Sequence, residues 1–462
     1  MSTSRRSFIR KIAAGALGAS VVPQVLSAED HAAQLLRSPQ RRVSPNERIR
    51  LAAIGMGIQG FSNLRAALAH PEAELVAVSD LYDGRLERSR EIYGKDLITT
   101  RDYRELLQRD DIDAVIISVP DHWHDHISIE AMKAGKAVYC EKPMVHHLEE
   151  GHAVIDTQRE TGQVFQVGSQ RVSSIIYAKA KELYEQGFIG KLVLAEAWTD
   201  RQSALGAWQY SIPTDASPKT IDWDTFLGDA PKRPFDETRF FRWRNYTDYG
   251  TGMAGDLYVH LFSGLHLMLS SQGPERIYTS GGLRYWKDGR DVPDLQLGIY
   301  DYPETDSHPA FNLQLRCNFV DGKGGGSMTR LIGSEGVIEI GWNNVKLIRN
   351  PMSENPGYGG WDSFGTFDAE EQQEYREWYE NKYPDPKPTM RAPEVQEFVA
   401  PEGYSDHRDH FANFFDAMKN DTPVVEDGAF GLRAAGPSLA ANISYFENKP
   451  VDWDPEGMKV LS

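Results

Sequence analysis

The chain has 462 residues, 40% hydrophobic, 25% charged and 11% aromatic, which is enough apolar mass for two globular domains rather than one. Its formal net charge of −17 argues against nucleic acid and anionic membrane surfaces as partners. Cys140 and Cys317 are the only cysteines, which excludes a disulfide framework and a cysteine-based metal site, so two buried free thiols are expected.

The chain opens on Ser4-Arg5-Arg6-Ser7-Phe8-Ile9-Arg10, followed by a modestly apolar run from Ile12 to Leu26 and small residues at Ser27-Ala28. A paired arginine before a short apolar stretch is the pattern of a twin-arginine export signal over residues 1–28, which implies a periplasmic or secreted protein. The run is too short and weak for a membrane span, and no cysteine follows it to carry a lipid, so no stable membrane anchor is expected. Residues 29–47, with Arg37, Arg41, Arg42 and Pro45, read as a linker.

From residue 48 strand and helix patterns alternate. Strands are predicted at 50–54, 74–79, 114–118, 137–140 and 164–167, with helices at 58–70, 83–93 and 125–134 and another before the last strand. Such a βαβα rhythm predicts a parallel, doubly wound sheet over residues 48–167, with ligands at the carboxyl ends of its strands. Residues 168–462 then read as a second domain. It has a helix at 173–186, a strand at 191–199, a loop-rich aromatic stretch over 200–250 and a helix at 254–270. Strand-like segments recur at 275–283, 311–319, 326–331, 335–341 and 345–348. Residues 351–402 read as an irregular excursion, and helices at 406–419 and 427–446 close the chain.

Gly55-Met56-Gly57-Ile58-Gln59-Gly60 is a GxGxxG placed between a strand and a helix. Gly55 permits the turn, Gly57 lets backbone approach a pyrophosphate, and Gly60 lets helix and strand pack closely, with the helix N-terminus turned to the phosphates. Asp80 follows at the end of the second strand, where a carboxylate binds ribose hydroxyls and repels a 2′-phosphate. NAD(H) is therefore expected over NADP(H), although Arg85 lies nearby.

Glu141-Lys142-Pro143 ends the strand at 137–140, so Lys142 faces the cofactor edge and can stabilise a developing alkoxide. Asp256 and His260 are four apart in a helical segment, on one face, where the carboxylate can orient the imidazole. His122, His124 and His126 alternate, but across a loop and a helix start rather than along a strand, so no metal is assigned to them.

Four motifs in order, Gly55-x-Gly57-x-x-Gly60, Val119-Pro120-Asp121-His122-Trp123-His124, Glu141-Lys142-Pro143 and Gly252-x-x-x-Asp256-x-x-x-His260, resemble the Gfo/Idh/MocA family. The resemblance implies a second domain of α+β type with an open-faced, largely antiparallel sheet used for homo-oligomerisation. It implies that the loop with Ser118, Pro120 and His124 runs along the nicotinamide, with Glu141 and Lys142 beside it. It makes Lys142 the catalytic lysine, His260 the proton acceptor for a sugar hydroxyl and Asp256 the carboxylate that orients the imidazole. Arg171, Tyr258 and Arg244, with Tyr177, Arg242 and Trp243, come from segments expected to border the substrate. NAD-dependent glycosidases that work through a transient keto sugar resemble the chain too, but tend to lack the lysine of Glu-Lys-Pro and to end the last motif in Tyr-Pro-Thr-His. Lys142 and Leu257-Tyr258-Val259-His260 favour net oxidoreduction over glycoside cleavage, and over a silent dinucleotide-binding sensor. Export of a folded enzyme implies a tightly bound cofactor, with the aromatic loops after 200 or the linker folded over its adenine end.

Overall fold

A computed structural model describes residues 48–351, 355–384 and 393–461. The export signal at 1–28 and the linker at 29–47 lie outside the described residues.

The first sheet contains β1 (Ile49–Ile54), β2 (Ala73–Ser79), β3 (Ile98–Thr100), β4 (Ala114–Ile117), β5 (Ala137–Glu141) and β6 (Phe165–Gly168). All are parallel, in the order β3-β2-β1-β4-β5-β6. The near-continuous apolar runs of β4 and β5 follow from this, since every residue of both strands is buried. Strand order reverses between β1 and β4, which opens a crevice at their carboxyl ends. The short β3 carries no apolar run and has no counterpart in the pattern of the sequence.

The second sheet has ten strands. In sequence these are β7 (Leu192–Asp200), β8 (Arg276–Gly282), β9 (Leu295–Tyr302), β10 (Phe311–Asn318), β11 (Gly326–Gly333), β12 (Gly336–Ile340), β13 (Asn344–Arg349), β14 (Glu394–Val399), β15 (Val451–Asp454) and β16 (Lys459–Val460). Pairing is antiparallel except between β7 and β10. One face is covered by helices Ile175–Glu185, Val259–Leu269 and Gly428–Glu447, and the other is open. On that open face Tyr278, Leu297 and Ile299 are 41%, 41% and 53% exposed.

Three expectations are corrected here. The excursion at 351–402 contains a regular helix, Ala369–Lys382, and the edge strand β14. The helix is polar apart from Tyr375, Trp378 and Tyr379, and its tyrosines pack on neighbouring rings such as Tyr358 rather than on the core, so no core-facing stripe marks it. β9 was missed although Leu297 and Ile299 alternate with buried neighbours, because both apolar side chains point outward. Finally, residues 168–462 do not form one spatial unit. Helix Asp406–Asn420 returns to the first sheet, where Phe411 stacks on Tyr139 at 4.3 Å and Phe414 and Phe415 complete its core. Cys140 and Cys317 are both free and buried.

His410 fastens that returning helix. Its Nε2 lies 2.8 Å from the Val167 carbonyl and its Nδ1 2.7 Å from the Ser173 hydroxyl, so one neutral tautomer donates to the first and accepts from the second. Burial pushes the imidazole down to about 4. In the unfolded chain its value returns to about 6.5, so stability is lost as pH falls from that value toward the folded one. At pH 5 the loss is about 2 kcal/mol. Denaturation of the wild type and of His410→Gln at pH 7 and pH 5 should show the wild type losing about 2 kcal/mol more. Equal losses in the two proteins would remove His410 from the pH dependence.

Candidate active site

The crevice between β1 and β4 opens into a cleft of about 1050 Å³. Gly55 has φ +90°, and a Cβ there would come 2.6 Å from the Ser118 carbonyl; a Cβ on Gly60 would come 2.0 Å from the Gly55 carbonyl. Both positions therefore require glycine. Gly57 instead faces the cleft, where the nearest atoms to a Cβ would be the Arg85 guanidinium at 3.8 Å. Helix Ile58–Ala67 starts there with no side-chain cap and no acidic residue in its first turn, so its leading N–H groups remain for an anion. A cradle of this kind, at the switch point of a parallel sheet, fits a dinucleotide pyrophosphate.

Asp80 is engaged more fully than its sequence position indicates. Its Oδ2 accepts from the Met56 N–H at 2.7 Å and its Oδ1 from the Tyr82 N–H at 2.9 Å, so it staples the glycine loop to the end of β2. Arg85 pairs with it at 3.4 Å and lies 5.4 Å from the Phe241 ring centroid. Met56 donates through its backbone, but its side chain is buried in the core and forms none of the cleft wall, which corrects its assignment as a cofactor contact. Ile58 and Gln59 line the cleft; the Gln59 amide also donates to Glu141 Oε1 at 3.0 Å. Asn63 and Gln170 donate to the same oxygen at 2.9 and 3.2 Å, so Glu141 is satisfied by three neutral amides.

Ser118, Pro120 and His124 line the middle of the cleft. The His124 ring is nearly inaccessible, with its nitrogens 2.6 Å from the Pro143 carbonyl and 3.0 Å from that of Val119. It is a strut between the β4 and β5 loops. His122 is similarly tied to the carbonyls of Phe226 and Tyr249, at 2.8 and 3.3 Å, and His126 turns away to Asp125.

At the substrate end, Lys142 Nζ lies 2.9 Å from Asp256 Oδ1 and 2.8 Å from the Asp256 carbonyl. Arg244 Nε reaches the same Oδ1 at 3.2 Å. Burial opposes ionisation of Asp256, but the charges of Lys142 and Arg244 outweigh it and hold the carboxyl far below its usual range. Here the sequence expectation is corrected: no hydrogen bond joins Asp256 to His260. The segment Ala254–Tyr258 is a wider π turn, and the carboxylate is taken by two cations instead. His260 is held well below its ordinary value, first by burial and then by repulsion from Lys142 and Arg171, so it is a neutral imidazole.

Tyr258 does not border the cleft. It is fully buried, and its hydroxyl donates to the Gln296 carbonyl at 2.7 Å, so its assignment as a substrate contact is corrected. Arg171 stands off the cleft wall, donating to the Tyr177 hydroxyl at 2.8 Å. Arg244, Trp243 and Tyr210 do line it.

Sequence reasoning missed the residues that roof the far end, Tyr103, Phe226, Phe240 and Phe241. Three belong to the 200–250 segment, whose density of aromatics was the available signal. That segment is fixed to the first domain by Asp83 N–H to the Thr220 carbonyl, Asp222 N–H to that of Leu81, and the Tyr82 hydroxyl to Asp215 at 2.6 Å.

A parallel sheet in this order, with a glycine cradle at its switch point, defines a dinucleotide-binding domain. Residues 49–169 match the Gfo/Idh/MocA oxidoreductase family's NAD-binding Rossmann fold, and residues 198–279 match its C-terminal alpha/beta domain. The chain is similar to this family over those two segments, the first of which has the family's NAD-binding fold. Among its relatives is a glycosyl hydrolase family 109 protein from Shewanella sp. (strain W3-18-1), 31% identical over 241 residues, covering 48% of this chain and 50% of the relative. Another is the scyllo-inositol 2-dehydrogenase (NAD(+)) of Bacillus subtilis, 35% identical over 157 residues, 34% of this chain and 46% of the relative. The chain thus spans about half the length of the curated relatives it matches. Levoglucosan dehydrogenase, solved with NADH and levoglucosan, shares the fold with a TM-score of 0.62 at 16% identity, covering 88% of this chain and 99% of that one. An NAD-binding protein from Listeria innocua does so with a TM-score of 0.61 at 19% identity, covering 88% and 99%.

Asp256 is the buried counter-charge for Lys142 and the partly exposed Arg244, so Asp256→Asn leaves both uncompensated. Urea denaturation should show a loss of about 3 kcal/mol. A loss below about 1 kcal/mol, the range of an exposed pair, would mean that the three groups are not coupled as described.

Proposed function

We propose that this protein is an NAD(H)-dependent oxidoreductase acting on a hydroxyl or keto group of a sugar or sugar derivative. The observation that carries the reading is the convergence of Lys142, Asp256 and Arg244 beside the glycine cradle, at the carboxyl edge of the sheet. The cradle with Asp80 and Arg85 would hold the dinucleotide, which when bound supplies hydride transfer. The chain's own residues supply the rest. Lys142 donates a hydrogen bond to the substrate oxygen and stabilises negative charge on it as its proton leaves. Asp256 holds Lys142 in position through two contacts, so its orienting action falls on the lysine. His260, neutral at physiological pH, accepts the proton. The inositol dehydrogenase relative supports this reading.

The similarity to the glycosyl hydrolase family 109 protein supports a second reading, glycoside cleavage through a transient keto sugar. A panel of free sugars and aryl glycosides, followed by reduced-nicotinamide absorbance and by aglycone release, separates the two. Net reduction of the cofactor without aglycone release is expected. Lys142→Ala and His260→Ala should each lower turnover by roughly a hundredfold while NADH affinity stays within about twofold. Aglycone release with no net reduction would establish the second reading, and near wild-type turnover in either variant would remove that residue's role.

The reading includes location and assembly. The twin-arginine pattern supports export of a folded, cofactor-loaded enzyme to the periplasm or outside, and the apolar residues on the open sheet face support a homo-oligomer. An exported enzyme has no free NAD pool, because a dinucleotide is charged and does not cross a membrane unaided. The roof formed by the 200–250 segment supports retention of the cofactor between turnovers. Denaturing the purified protein should release near-stoichiometric nicotinamide nucleotide. A cofactor-free preparation that turns over rapidly on added NAD would contradict retention.

A further inference from the structure

At one end of the cleft two cationic donors, Arg244 and Lys142, keep N–H groups that the protein does not use. Arg244 spends only Nε on Asp256; its two Nη groups have no hydrogen-bond partner among the described residues, and its side chain is 24% exposed along the cleft wall. The guanidinium carbon lies over the Trp243 ring, 4.2 Å from its centroid. Lys142 uses both of its recorded contacts on Asp256, leaving one N–H to give.

One oxygen of each nearby carboxylate is already committed. Asp256 Oδ1 serves both cations, Glu141 Oε1 accepts from three amides, and Asp121 Oδ2 accepts from the Thr251 N–H and hydroxyl at 2.9 and 2.7 Å. A neutral sugar hydroxyl can accept from these donors, but its single oxygen does not match the paired, parallel N–H groups of the fork. A carboxylate only accepts, and its two oxygens match the two Nη groups of a guanidinium fork. Arg244 and Lys142 touch the same Asp256 oxygen, so a group on the fork sits beside a group on the lysine.

We propose that the substrate is an acidic sugar, a uronate or aldonate class compound, whose carboxylate is bound by Arg244 while a neighbouring hydroxyl is presented to Lys142. The inference rests on the oxidoreductase reading of the same site and narrows its substrate. No bond changes at the carboxylate; it is a recognition group.

The test is calorimetric titration of the purified holoprotein with glucuronate, galacturonate and gluconate, each against its neutral parent, glucose, galactose or sorbitol. At least one acid should bind ten times more tightly than its neutral counterpart, with the preference falling as salt rises. Arg244→Gln should abolish that preference while NADH affinity remains within twofold. Arg244→Lys, which keeps the charge beside Asp256 but loses the fork, should fold with wild-type thermal stability and retain only part of it. Equal binding of acids and neutral sugars, no binding of any acid, or an acid preference that survives Arg244→Gln would each overturn the proposal. Reduction of bound cofactor by a neutral sugar alone would overturn this inference and leave the oxidoreductase reading intact.

Discussion

The arrangement depends on a single buried carboxylate. Asp256 sits between Lys142, which ends the fifth strand of the dinucleotide domain, and Arg244, which comes from the loop-rich segment of the second. Three charged groups are removed from water at once, so the desolvation cost is repaid only while all three remain in contact. Two domains contribute to the triad, and it therefore fixes how far apart they stand at the substrate end. Its value to the protein is positional: the flexible stem of Lys142 is tied at both the carboxylate and the carbonyl of Asp256.

The opposite end of the cleft is held by a different interaction. There the 200–250 segment binds the loops after the second strand through backbone hydrogen bonds, and its rings form a small core around Tyr82. Neutral bonds and apolar contacts are weakly affected by salt, whereas the ion triad is shielded mainly by burial. A cleft pinned by packing at one end and by charge at the other cannot open about either end without breaking interactions between domains. The return of helix Asp406–Asn420 onto the first sheet adds a third tie, through His410 and the Phe411–Tyr139 stack.

What was legible in the sequence follows from how local each signal is. Gly55, Gly57 and Gly60 could be read because their requirement is imposed by backbone geometry within a few residues. The β4 and β5 strands could be read because both faces are buried. The Asp256–His260 pairing was read from helical spacing and was not found, because spacing says which face a side chain occupies and nothing about cations arriving from elsewhere in the chain. Lys142 is 114 residues distant from Asp256. Tyr258 failed for the same reason, since adjacency to a motif does not decide whether a ring points inward. The helix at 369–382 escaped detection because it lacks an apolar stripe facing the core, which is the feature that periodicity detects. Nothing in the local pattern announced that residues 406–420 would complete the core of a domain that began at residue 48.

The loss of Asp256 as a partner for His260 changes what the imidazole can do. An imidazole bonded to a carboxylate has its charged form stabilised; this one is buried with Lys142 and Arg171 acting against its charged form. It is thus neutral at rest and a poor proton acceptor until something offsets those charges. Negative charge that offsets Lys142 would favour the protonated base. Lys142 is thus common to both groups: its charge holds Asp256 ionised and keeps His260 neutral.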